Sequence, residues 1–405
     1  MRRLIKVFSL VIFNLILTLF LIEIALRFLP LPSGFSVYLK AVGMIQEQQS
    51  AYIKDPVGGL SVFKPNISFT WTIMDGEWQI TTVPFPDDKR LGLRDDGIDE
   101  SAEVSVFACG DSFTFGFGVD NNQVWHEVLE NKYNGEVDIF SLRAIGNSIP
   151  DIYDAYPQYR DRFKHDVVFL NIYLGNEFIE AYFKGQSSKQ TAQVVALQGE
   201  QERRGSQIVE SSEQSVTAVA YEMIRKSYAA RIVKYLFFNQ WVKLGYTRID
   251  SKREVFQPED SPYVFTIDYE DYLLVRNCEV EYSETLQSGV EFFSRRLQQL
   301  VEMIRQDNRR VYVFIFPFKE QVYWDQWSYR LETPERYDRF KPNYIVREQL
   351  ERLNVPYYDL TDDLIDQGEG EILYWPIDSH WTAAGNRLAA DLIYTWLAGR
   401  EEWRP

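Results

Sequence analysis

Short apolar runs punctuate the chain from residue 104 onward. Val104–Cys109, Val137–Phe140, Val167–Leu174, Val311–Phe316 and Val355–Tyr358 are too continuous to alternate between a wet and a dry face. They predict strands buried on both sides. Between them apolar residues return every three or four positions, as in Leu286, Val290, Phe293, Leu297, Leu300 and Ile304, and again in Leu388, Leu392 and Trp396. That period is helical. Strand–helix alternation predicts an α/β fold in which helices cover both faces of a parallel sheet, a three-layer α/β/α sandwich. More than 130 residues part the third run from the fourth. One crossover does not need so many, so an insertion is expected at about 180–280.

Ahead of these runs the pattern differs. Phe69, Trp71 and Ile73, then Trp78 and Ile80, alternate with polar residues around Met74-Asp75-Gly76-Glu77. This predicts a hairpin with an Asp-Gly turn, a small β cap before the main domain. At the N-terminus Arg2, Arg3 and Lys6 precede an apolar run from Val7 to Ile22. A helix over Leu4–Leu26 would span about 34 Å at ~1.5 Å per residue, enough for a bilayer core of ~30 Å. Ile24-Ala25-Leu26-Arg27 offers no small-x-small cleavage pattern. The expected organisation is therefore a transmembrane signal anchor over 1–30, a linker with the β-hairpin cap over 31–102, and the main domain over 103–405. The positive-inside bias puts the N-terminus in the cytoplasm and the rest in the periplasm or outside the cell.

Composition narrows the chemistry. An apolar content of 45% allows a sizeable core and excludes disorder along the whole chain. Forty-three Lys plus Arg against 59 Asp plus Glu give a net charge of −16, which repels a polyanion and argues against a nucleic-acid partner. Two cysteines, Cys109 and Cys278, are too few for a disulfide scaffold or a thiolate zinc site, and with three histidines in all no metal or other cofactor is expected. Gly185–Ser215 is rich in Gln, Ser, Glu and Lys and reads as a mobile loop. Glu222–Arg253 carries eight basic residues against two acidic ones, interleaved with Ile224, Tyr228, Ile232, Leu236, Phe237 and Trp241. Such a basic amphipathic helix suits an anionic membrane surface, or packs its apolar stripe on the domain as a lid.

Three loops at carboxyl ends of predicted strands hold the candidate chemistry, because ligands of a parallel sheet bind beyond those ends. Cys109-Gly110-Asp111-Ser112 closes the first strand and offers Ser112 as a nucleophile. Ala144-Ile145-Gly146-Asn147-Ser148 follows the second, and Tyr173-Leu174-Gly175-Asn176-Glu177 the third. The Gly146 backbone N–H and the Asn176 amide are candidate donors to an oxyanion, although any βα loop also favours Gly and Asn for turn geometry. Near the C-terminus, Trp375-Pro376-Ile377-Asp378-Ser379-His380-Trp381-Thr382 precedes the last helix, with Thr382 or Ser379 able to cap it. A carboxylate two residues before His380 can fix one ring nitrogen and leave the other to take a proton from a serine. His165, at the entry of a strand, and His126, within a predicted helix over Gln123–Lys132, read as surface or packing residues.

In that order Gly-Asp-Ser, Gly, Gly-Asn and Asp-x-His resemble the SGNH (GDSL-type) hydrolase superfamily over Val104 to about Leu397. The resemblance implies an SGNH or flavodoxin-like sandwich with Ser112 as nucleophile, His380 as general base and Asp378 as its partner. It implies an oxyanion hole from the Ser112 N–H, the Gly146 N–H and the Asn176 amide. The stretch Phe314–Tyr323, with Pro317-Phe318-Lys319, is also similar to a Pro-x-Lys segment of membrane-anchored bacterial members and of alginate acetyltransferase relatives. The chain departs from the common pattern in Glu177 after Asn176, in Ile377 three residues before the histidine, and in Phe113 for leucine. The expected activity is that of an extracytoplasmic serine esterase or O-acyltransferase acting on O-acyl groups of an envelope or exported polysaccharide, with the membrane and the polysaccharide machinery as partners. Two alternatives stand beside it: a lipid esterase or lysophospholipase at the bilayer, and a catalytically silent scaffold subunit.

Overall fold

The computed structural model describes residues 51–55, 61–72, 77–85, 87–95, 97–99, 101–141, 148–187, 253–268, 274–368 and 370–403. The anchor, the turn at 73–76, the loop that carries Gly146 and the segment 188–252, with most of the basic stretch, lie outside them. Among the described residues no helix is long and apolar enough to cross a membrane.

Six short strands come first: β1 (Tyr52–Lys54), β2 (Ser61–Phe63), β3 (Ser68–Thr72), β4 (Glu77–Thr81), β5 (Val83–Pro84) and β6 (Gly92–Leu93). β3 and β4 pair antiparallel, Trp71 opposite Trp78, as the alternation predicts. The others form a four-stranded sheet in the order β1-β2-β6-β5. Next come the strands of the main sheet, β7 (Val104–Cys109), β8 (Val137–Ser141) and β9 (Val167–Tyr173), then a small pair, β10 (Arg253–Phe256) with β11 (Phe265–Asp268), and finally β12 (Arg310–Phe316) and β13 (Tyr357–Asp359). The helices are α1 (Ser112–Phe115), α2 (Trp125–Lys132), α3 (Ile149–Tyr159), α4 (Glu284–Gln306), α5 (Lys319–Val322), α6 (Lys341–Arg352), α7 (Thr361–Gln367) and α8 (Ala383–Ala398), with a further one over 177–187.

The main sheet has the order β13-β12-β9-β7-β8, every pair parallel. Its register puts Phe107 beside Phe140 and Val168, and Val168 beside Val311, on one face. Phe169, Asn171 and their neighbours Tyr312 and Phe314 line the other. Tyr156 of α3 packs on Phe107, and α3 packs against α4. Trp125 of α2 and Trp396 of α8 meet Phe314 from the opposite side, and α2 packs against α8. Helices thus cover both faces. Local chemistry starts them where they start: Ser283 accepts from the Leu286 N–H at the head of α4, and Thr382 from the Gly385 N–H at the head of α8.

One predicted strand needs correction. The run Val355–Tyr358 gives a strand only from Tyr357 to Asp359, half-buried rather than buried on both sides. Pro356 has no N–H to donate and serves the ladder only by its carbonyl, which accepts from Val313. β13 is moreover the edge of the sheet, with no strand beyond it among the described residues.

The chain leaves β7, turns to β8 at one edge, and then crosses back to β9 on the other side of β7. Connections on either side of this switch point diverge and leave a crevice at the carboxyl ends of β7 and β9. Ser112 and Asn176 follow those two strands directly.

Candidate active site

The turn that carries Ser112 is shaped by three residues that each solve a local problem. Asp111 caps α1, its carboxylate accepting the Phe113 N–H at 3.0 Å. Gly116 ends it in the left-handed region at φ 75, where a side chain would be strained. At Gly110 a Cβ would stand 2.0 Å from the Thr114 hydroxyl and 2.9 Å from Asn171 on β9. Only glycine lets the turn sit so close to the sheet, and Ser112 is carried at its apex, partly exposed.

His380 arrives from the other end of the chain. Tyr374 and Trp381 form an antiparallel bridge, and between them the loop turns so that His380 Nε2 lies 2.7 Å from Ser112 Oγ. Its Nδ1 lies 2.5 Å from Asp378 Oδ1. Burial raises the Asp378 carboxyl, but the hydrogen bonds and charge of His380, with Lys319 beyond, outweigh it and hold the group below its ordinary value. It is therefore an anion at neutral pH and an acceptor for the ring N–H. Phe117 and Phe113 flank the imidazole at 4.5 and 5.1 Å between centroids.

Ser112, His380 and Asp378 are thus brought together, although the first two stand 268 positions apart in the chain. Asn176 stands at the end of β9, its Nδ2 donating to Glu180 Oε1 at 2.6 Å. Gly146 lies outside the described residues. The other two histidines are buried away from this chain of bonds. His126 Nε2 is 3.3 Å from Ser141 Oγ, and His165 Nδ1 is 2.9 Å from the Phe163 carbonyl. Burial lowers them to about 3 and about 4. Cys109 and Cys278 are both free and buried, and burial raises both thiols. Among the described residues no group of His, Cys, Asp and Glu could hold a metal ion.

Sequence reasoning singled out Lys319 only through the Pro-x-Lys resemblance and gave it no role, and it did not foresee what the β cap packs on. Lys319 is buried, and its ammonium donates to the carbonyls of Val264 and Pro376 at 2.8 and 3.0 Å, tying the 374–381 loop to the end of β12. The β cap forms a wall: Trp71 and Trp78 hold the Phe117 ring edge-on at 5.3 and 4.9 Å. The alternation that points Trp71 and Trp78 to one side of the hairpin was the available signal, but it does not say what they face.

The comparisons bear on the C-terminal part of the chain. Residues 271–402 match the family model described as the SGNH hydrolase-like domain of acetyltransferase AlgX. That span contains Lys319, Asp378 and His380 but not Ser112 or Asn176. No curated protein matches the chain. Among solved structures an acetyl xylan esterase, AlAXEase, aligns at 14% identity and TM-score 0.35 over 73% of this chain and 100% of its own. A member of the lipolytic protein G-D-S-L family from Veillonella parvula aligns at 11% and 0.36, over 73% and 99%. A catalytic mutant of an acetylxylan esterase from Geobacillus stearothermophilus aligns at 11% and 0.37, over 75% and 98%. The chain is thus an α/β protein built on a parallel sheet, and its residues 271–402 are similar to the SGNH hydrolase-like domain of acetyltransferase AlgX.

Proposed function

We propose that the protein is a serine esterase or O-acyltransferase that works on O-acyl groups of a polysaccharide outside the cytoplasm. The observation that carries this is the unbroken hydrogen-bonded chain from Ser112 Oγ through the imidazole to Asp378. His380 takes the Ser112 proton as Oγ attacks the ester carbonyl carbon, and Asp378 stabilises the imidazolium that results. The carbonyl oxygen becomes an anion, met by the Ser112 and Gly146 N–H groups and the Asn176 amide. As the tetrahedral adduct collapses, His380 returns the proton to the leaving alkoxide, and the acyl group stays on Ser112. Water resolves the acyl-enzyme in an esterase, and a sugar hydroxyl does so in a transferase.

A glycan is favoured as substrate by a cavity of about 740 Å³ beside the His380 loop, lined by Trp375, Pro376, Ile372, Asp120, Glu77 and Arg387. The Trp375 indole N–H is already bonded to the Gly118 carbonyl at 3.1 Å, which leaves the ring for stacking. Residues 1–30 anchor the domain to the membrane in this reading, with the catalytic part on the far side from the cytoplasm. A catalytically silent scaffold has no chemical need for a serine held at hydrogen-bond distance from a carboxylate-oriented imidazole.

The test is fluorophosphonate labelling, with p-nitrophenyl acetate turnover, of the full chain beside Ser112→Ala and His380→Ala. Wild type is expected to label and turn over, and each variant to lose about a million-fold in kcat. A folded wild type that neither labels nor turns over rejects the reading.

A further inference from the structure

The amide offered to the oxyanion is itself held by a carboxylate. Asn176 and Glu180 are four residues apart around the start of the 177–187 helix, the spacing at which side chains meet on one face. A primary amide has two N–H bonds. Glu180 Oε1 accepts one at 2.6 Å, and the second remains for a ligand. The backbone beneath is fixed as well: Asn277, buried, donates to the carbonyls of Leu174 and Gly175 at 3.0 and 2.5 Å.

Glu180 is placed at a cost to folding. Its Oε2 is buried and has no hydrogen-bond partner. Burial pushes the carboxyl up to about 7, helped by the charges of Asp111 on the nucleophile turn and Asp151 on α3, with the Asn176 bond opposing. Glu177 on the same helix is buried too and accepts the Ile149 N–H at 2.8 Å. Lys184 on the same helix is bonded instead to Asp151 and Asp154 at 2.7 and 3.0 Å. An apolar residue at 180 would serve packing better, so the carboxylate calls for another explanation.

We propose that Glu180 is a positioning residue for catalysis: by engaging one N–H of Asn176 it fixes the rotation of the amide and aims the second N–H at the oxyanion formed on Ser112. This rests on the reading of Ser112 as the nucleophile. Without Glu180 the amide turns freely about its side-chain bonds, and the donor must be ordered again in each transition state.

The test is kinetic, on the full chain with p-nitrophenyl acetate, using Glu180→Ala, Glu180→Gln, Asn176→Ala and the Glu180→Ala/Asn176→Ala pair. Glu180→Ala is expected to lower kcat about 10- to 100-fold with KM within about twofold, below the 100- to 1,000-fold loss of an entire oxyanion donor. Glu180→Gln, which keeps a carbonyl acceptor, is expected within about threefold of wild type. Because Glu180 acts through Asn176, the double variant should be no slower than Asn176→Ala alone. Stability should move the opposite way. The folded-state value lies above the unfolded one, so wild type loses stability as pH rises through about 7, and Glu180→Gln should have the higher thermal midpoint at pH 8. Glu180→Ala with wild-type kcat, or losses that multiply in the double variant, overturns the proposal while leaving the enzyme reading intact. Absence of turnover in wild type overturns both.

Discussion

Arg94 does no chemistry, yet the turn that carries Ser112 leans on it. Its guanidinium is buried and donates to the carbonyls of Phe115, Gly116 and Val119 at 2.7, 2.8 and 2.5 Å, and to Asn121 at 2.9 Å. Burial lowers it to about 10, so it remains a cation at neutral pH. Arg94→Ala strands the buried Phe115 and Val119 carbonyls, each worth about 1–3 kcal/mol when left without a donor, and leaves Gly116 only the long bond from the Val119 N–H at 3.4 Å. A loss of more than about 3 kcal/mol is expected, read as a lower midpoint in denaturant unfolding. Arg94→Lys should recover only part of it, since an ammonium has no planar fork to reach three acceptors at once. Nothing in the sequence marks Arg94. It follows a two-residue strand, and its role depends on where residues 115–121 come to lie. Ser112, Asp378 and His380 were legible because a strand end and a two-residue spacing announce them within a few positions.

Among elements, the 374–381 loop has no helix or strand of its own and is held by a single bridge between Tyr374 and Trp381 and by side chains that reach its backbone. Lys319, just after β12, donates to the Pro376 carbonyl of this loop and to the Val264 carbonyl ahead of β11. The Tyr374 hydroxyl adds a bond to the Pro317 carbonyl at 2.8 Å. Lys319→Met keeps the stem in place and removes the ammonium, leaving the Val264 carbonyl without that donor and the Pro376 carbonyl with only the Val264 N–H at 3.0 Å. We expect a fall in kcat of about tenfold or more with the fluorophosphonate label still attached, more slowly, to Ser112; labelling at the wild-type rate would show that the loop holds without it. Strands were legible where they are central. β7, β8 and β9 are buried along their whole length, so apolar runs mark them fully. β13 is an edge, and there solvent on one side and Pro356 at its start decide the boundary. The hairpin of β3 and β4 was visible as alternation, but its packing on Phe117 is a tertiary fact.

At the scale of the molecule, charge sets which substrates approach easily. The chain carries −16, and Glu77, Asp120 and Glu371 lie around the 740 Å³ cavity while Arg387 is paired with Glu371 at 3.0 Å. An acylated polyuronate should therefore be repelled at low ionic strength, where screening reaches only beyond ~30 Å at 0.01 M. Its kcat/KM is expected to rise several-fold from 0.01 to 0.2 M salt, whereas that of p-nitrophenyl acetate, which is uncharged, stays level. A flat profile for both would mean that the rim does not face the incoming chain. The distance in sequence between Ser112 and His380 has a consequence of another kind. A polypeptide emerging vectorially from a ribosome or a translocon presents its serine 268 residues before its base. If the proposed esterase or transferase reading holds, the serine stays an ordinary alcohol until the 374–381 loop has docked, and a nascent or prematurely terminated copy would have no power to strip acyl groups from whatever it meets on the way.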